Sequence, residues 1–183
     1  MAYLKWFALL IPSYAMAIIG RLIAPILPLF VQEDGYLPKY LSWFQTPFDA
    51  CDGDEDHMNK WPGSDWWSTY KRRLAWFLRN VAYGFDMRVL GVEVKPDSDV
   101  IETIGNPDVS DQNGISGLCR WRVYRQGKLV AWQWYFIYHY QIFGSLRCIR
   151  IGAGWKVWSI EKLYTEPAQY FSVLNPFKSA FDQ

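Results

Sequence analysis

The most regular feature of the chain is an apolar start. "FALLIPSYAMAIIG" (residues 7–20) carries no charge, and "LIAPILPLFV" (residues 22–31) continues the run after a single Arg21. At about 1.5 Å per residue, Tyr3 to Leu22 would cover about 30 Å, the thickness of a bilayer's hydrocarbon core. Lys5 and Arg21 then fall near opposite ends, where long basic side chains can reach the headgroups. Pro12 complicates a straight helix, and Pro25 and Pro28 end it, because each removes a backbone donor and disfavours helix in the residue before it. The pattern predicts a spanning or deeply inserted helix over residues 4–22 and an interfacial stretch or return over 23–31. A re-entrant hairpin and a core helix packed under a sheet are the competing readings. Ala15-Met16-Ala17 has the small-residue form of a signal-peptidase site, but cutting there would leave an apolar terminus, so the segment reads as retained.

At Gln32 the pattern turns polar, with Gly35 and Pro38 as breakers among the aromatics Tyr36, Tyr40, Trp43 and Phe44. Aromatics beside an apolar span suit an interfacial belt. The candidate membrane or interface residues are therefore Trp6, Phe7, Arg21, Phe30, Trp43 and Phe44. Over residues 65–85, apolar positions recur at three- and four-residue steps (Trp67, Tyr70, Leu74, Phe77, Leu78, Val81), which predicts an amphipathic helix. Asp65 or Ser64 caps its start and Gly84 ends it.

From Met87 the pattern becomes that of short strands: "MRVLGVEV", then a polar loop including "GNPDVSDQNG", then "LCRWRVYRQGKLVAWQWYFIYHYQIF". Gln126-Gly127 sits where a hairpin turn belongs. In the first arm Cys119, Trp121 and Val123 alternate with Arg120, Arg122 and Tyr124, giving one apolar and one basic face. The second arm, Trp132 to Tyr140, is bulky on both faces and reads as a central strand, with "LRCIRIGAGWKVW" pairing next to it. The tail "YFSVLNPFKSAFDQ" reads as a short packed segment with a turn at Asn175-Pro176. The fold class expected is α+β: an apolar N-terminal helix, a basic amphipathic helix and a mostly antiparallel sheet of about four strands.

Composition limits how much more the chain holds. Its 183 residues suit one ordinary domain, 32–183, behind the apolar segment 1–31. A mean hydropathy of −0.11 leaves room for one span and no more. The net charge of +1 gives no nucleic-acid footprint in the total, so any electrostatic role is local. Cys51, Cys119 and Cys148 are widely spaced, with no CxxC pair, and read as buried or reduced thiols.

The densest charge is "DGDED", Asp52 to Asp56. Its D-x-D-x-D spacing imitates the start of a calcium loop, but His57 and Gly63 stand where that loop needs Gly and Glu. Asp52, Asp54 and Asp56 are weak candidates for a cation or a general acid, and a solvated or helix-capping turn is the plainer reading. Lys71, Arg72, Arg73 and Arg79 make the predicted helix basic, and Arg120 and Arg122 add a basic strand face. Those of the helix suit a solvated face, anionic lipid or nucleic acid; the interleaved Arg120, Trp121, Arg122 and Tyr124 could stack single-stranded bases, although aromatics on a strand are more often core. His139 reads as a core or edge histidine, and Gly152-Ala153-Gly154 lacks the rest of a phosphate loop. No motif calls for a cofactor or establishes a reaction.

"GYLPKYLSWFQTPFDACDGD", "RNVAYGF", "RIGAGWK" and "NPFK" together resemble a group of small, uncharacterised proteins of tailed bacteriophages. The resemblance implies a phage origin and a bacterial host, and supplies no catalytic residue. The function expected is non-enzymatic: membrane association at the host inner membrane, main domain cytoplasmic, with lipid and a host or phage protein as partners. The alternative is a virion structural protein whose apolar start and aromatics are subunit interfaces. An enzyme or cation-binding protein using Asp52–Asp56 stands third.

Overall fold

A computed structural model describes residues 1–157 and 163–180. The chain is α+β and forms two compact units, Met1–Ala8 with Gly91–Gln183, and Leu9–Leu90. The expected division at residue 31 coincides with neither. Helix α1 (Ala2–Ile23) supplies residues to both units and passes through Pro12 without ending. It ends before Pro25, as that residue requires, and a 3-10 turn that contains Pro28, Leu27–Phe30, follows.

In the second unit, α1 is followed by that turn, a second 3-10 turn (Lys39–Phe44), α2 (Glu55–Lys60), α3 (Trp66–Arg79) and α4 (Tyr83–Arg88). Ala24, Leu27, Leu37, Phe44, Cys51 and Phe77 form its core, with Met16, Ile23 and Leu74 packed on the edge. Asp65 caps α3 as the sequence suggests, accepting the backbone N–H of Trp67 at 3.0 Å and of Ser68 at 3.1 Å. The helix stops at Arg79 rather than at Gly84. Asn80 caps it, Ala82 adopts a left-handed conformation (φ 53°), and the chain restarts as α4. Gly84 lies inside α4 and admits the backbone of Ser42 and Gln45 so closely that a Cβ would collide with their carbonyl oxygens.

In the first unit, five strands form one antiparallel meander in chain order: β1 (Val100–Gly105), β2 (Gly117–Arg125), β3 (Lys128–Ile142), β4 (Ser145–Trp155) and β5 (Tyr170–Ser179). The β2–β3 turn is Gln126-Gly127, both with positive φ (50° and 73°), the geometry that matches strand twist in a two-residue hairpin. β3 is the central strand. Two expectations need correction. "MRVLGVEV" is not a strand: Met87 and Arg88 close α4, and Val92 makes only an isolated bridge to Ala168. The tail is not a turn-containing end but an edge strand through residue 179, where Pro176 is tolerated because an edge leaves one side of the ladder unpaired.

Register assigns the faces. Cys119, Trp121 and Val123 lie opposite Tyr135, Gln133 and Ala131, and all six are buried. Arg120 and Arg122 lie opposite Trp134 and Trp132 on the other face. There Trp6 closes over Trp132 (ring centroids 5.4 Å apart) and Tyr170 (5.9 Å). Its indole donates to the Phe171 carbonyl, and the Tyr170 hydroxyl donates to the Trp6 carbonyl, both at 3.3 Å.

Candidate membrane-contact surface

An α-helix turns about 100° per residue, so Leu4, Phe7, Ile11, Tyr14, Ile18 and Leu22 fall within an arc of about 80°. All six are exposed. Ala2, Trp6 and Gly20 lie on the opposite side and are buried. Gly20 has to be small, since a Cβ there would meet Val81 at 2.8 Å. Of the helix's most apolar 18-residue stretch only 11% is buried. The outer stripe runs about 27 Å from Leu4 to Leu22 and continues past the helix end through Ile26, Leu29 and Phe30, all exposed. Lys5 and Arg21 are the only charges in α1, and both are exposed: Arg21 borders the stripe, while Lys5 lies about 140° around the helix from Ile18, its ammonium 5.8 Å from the Trp155 ring.

The predicted interface residues divide. Phe7, Arg21, Phe30 and Trp43 are exposed, the last with its ring edge against Phe85. Trp6 and Phe44 are not available to a membrane: Trp6 plugs the aromatic cluster of the first unit, and Phe44 belongs to the core of the second. The sequence reading missed an exposed aromatic stack at the start of α3, where Trp66, Trp67 and Tyr70 lie ring on ring at 5.4–5.9 Å. The Tyr70 hydroxyl donates to the Pro25 carbonyl at 2.8 Å, fixing the stack beside the end of α1. Adjacent Trp66 and Trp67 point about 100° apart on a helix, a signal that both could not enter one core stripe.

The acidic run holds the second unit together. Asp52 receives Arg72 (Nη2, 2.9 Å) and Arg73 (Nη2, 3.0 Å), and both guanidinium Nε groups also donate to it. Burial would raise the Asp52 carboxyl, but the hydrogen bonds and charge of Arg73 and Arg72 outweigh it and hold the carboxyl below its ordinary value. Asp54 caps α2 by accepting the His57 N–H at 2.8 Å. The His57 ring is buried and donates from Nε2 to the Arg72 carbonyl at 2.9 Å, since a carbonyl can only accept. Arg72 also donates to the Gly63 carbonyl at 2.8 Å. Asp56 sits in the first turn of α2, where a negative charge suits the helix dipole.

Arg72 and Arg73 are therefore largely occupied and do not form a basic surface. Lys71 and Arg79 remain at the surface, near Trp67 and Trp76 respectively, with Arg79 3.8 Å from Asp54. Arg120 is exposed, and Arg122 is half-buried, 3.7 Å from Glu102. Among the described residues no group of three or more His, Cys, Asp or Glu converges as a cation site would require.

A long apolar stripe bordered by Arg21, with exposed Trp and Tyr nearby, has the composition of a segment that partitions into a bilayer's interfacial zone. No curated protein and no solved structure matches the chain. A family model matches residues 1–182, and the chain belongs to that family, DUF7338, a family of unknown function.

Proposed function

We propose that this chain is a non-enzymatic, membrane-associated protein that lays the outer stripe of α1 along the bilayer surface instead of crossing it. Phage origin and action at the bacterial inner membrane, on lipid or on a complex there, complete the proposal. The phage-like stretches around residues 35–54 and 79–85 motivate that origin. One observation supports the membrane reading above others: α1 packs through Ala2 and Trp6 in the first unit and through Gly20 in the second, and in each it turns exposed apolar side chains outward. A spanning helix would have to release Gly20 from Val81 and Phe44 and Trp6 from its aromatic cluster. An in-plane helix keeps both contacts.

The test is fractionation of bacteria expressing the full chain, followed by flotation of the membranes with phospholipid vesicles. Co-flotation without detergent is the expected result. A soluble, monomeric chain would overturn the proposal.

A second reading, self-assembly in a virion, draws on a different set of exposed side chains: Tyr138, Phe143, Leu174 and Phe177 in β3, its turn and β5. It predicts a soluble chain that sediments as an oligomer, with dissociation when Leu174 and Phe177 are made polar.

A further inference from the structure

We infer that the first unit carries a binding pocket for the phosphate headgroup of an anionic lipid, built from Arg120, Arg122, Trp132, Trp134 and Tyr3. This rests on the membrane reading above and names the lipid class that it selects. A depression of about 220 Å³ opens on the sheet face that bears these side chains. Register places Arg120 beside Trp134 and Arg122 beside Trp132. The two arginines are two residues apart on one strand, so they project from the same face about 7 Å apart. Two guanidinium groups at that spacing can converge on the oxygens of one phosphate.

Their charge is poorly answered within the protein. Among the described residues Arg120 has no carboxylate within ion-pair distance, and the carboxylate nearest Arg122, Glu102, is 3.7 Å away and itself half exposed. By contrast Arg125 and Arg150 each hold a buried aspartate at 2.7 and 2.9 Å, and Arg72 and Arg73 share Asp52. The pair on this face is thus the least neutralised of the arginine pairs described above.

The walls select among phosphates. Tyr3 closes one side with its ring 4.9 Å from Trp132, and Tyr3 lies in the first turn of α1, next to the exposed Leu4 and Phe7. A bilayer that receives Leu4 and Phe7 therefore brings its headgroups to this pocket. Aromatic walls suit a glycerol and the upper acyl carbons better than a free phosphate ion, which would leave them unfilled. A single-stranded nucleic acid would need open ring faces on which to stack, yet Trp132 is already covered by Tyr3 and Trp6.

The test uses the full chain with vesicles of phosphatidylcholine alone and with phosphatidylglycerol added. The unmodified chain should prefer the anionic vesicles, and Arg120→Gln with Arg122→Gln should lower that preference about thirty-fold, the effect of two basic side chains at an anionic surface. Binding to phosphatidylcholine should be unchanged. Arg120→Lys with Arg122→Lys should recover the preference only in part. Full recovery, which would mean diffuse charge rather than a pocket, overturns the inference. So does competition by inorganic phosphate as effective as that by soluble glycerol phosphate, or binding of a single-stranded oligonucleotide that depends on the two arginines. If both vesicle types bind alike, the inference falls while the membrane reading stands. If neither binds, both fall.

Discussion

Replacing Ile11 and Ile18 by serine should detach the protein from membranes without unfolding it. Ile11 is 78% exposed and Ile18 58% exposed, so on a bilayer each still has most of its side chain to remove from water. Complete burial of such a side chain is worth about 1.5–3 kcal/mol. Scaled by these exposures, the pair supplies about 3 kcal/mol, or about a hundred-fold in partitioning. The cost of immersing two hydroxyls comes on top. Folding should hardly change, because the side chains touch little else and serine and isoleucine have similar helix propensities. Vesicle co-sedimentation measures the first quantity and thermal melting followed by circular dichroism the second. Vesicle affinity unchanged within about threefold, in a protein that still melts normally, would refute the area argument.

Three further outcomes follow from the interior. Asp52→Asn should destabilise the second unit by about 1–2 kcal/mol, through loss of charge-assisted bonds to two partly buried arginines. Urea titration measures it. Because the folded Asp52 pKa lies below the unfolded one, its contribution should be complete above about pH 4 and lost as pH falls through the folded value; the Asp52→Asn variant should show less acid sensitivity. Gly84→Ala should cost about 1–3 kcal/mol, since the new methyl meets the Ser42 and Gln45 carbonyls and the backbone cannot yield as a side chain would. Native protein should resist thiol alkylation at all three cysteines until denatured: burial pushes Cys51 up to about 12 and raises Cys119 and Cys148, leaving almost no thiolate near neutral pH. Mass spectrometry after brief alkylation reads the result.

Local chemistry made much of this fold legible. The end of α1 before Pro25, the Asp65 cap, the Gln126-Gly127 turn and the alternation at Cys119, Trp121 and Val123 depend on neighbouring residues alone. The outward side of α1 was not legible, because both sides are apolar: Met16, Gly20 and Ile23 on the packed side differ little in hydropathy from Ile11, Ile18 and Leu22 on the open one. The acidic run was visible as charge, but its partners Arg72 and Arg73 stand about twenty residues later in the chain, beyond any local pattern. Asn175-Pro176 suggested a turn because proline usually punctuates. An edge strand, identifiable only once the sheet order is known, accommodates it.

The claim that matters most is that α1 lies along the membrane. Single cysteines at Leu4, Ile11, Ile18 and Leu22, spin-labelled in the full chain on vesicles, would report immersion depth at four points along one stripe. The native thiols are buried and should not compete for label. An in-plane helix predicts four similar depths, about 5–10 Å below the headgroup boundary. A depth that peaks at Ile11 and falls toward Leu4 and Leu22 would mean that the helix crosses the bilayer, contradicting the account.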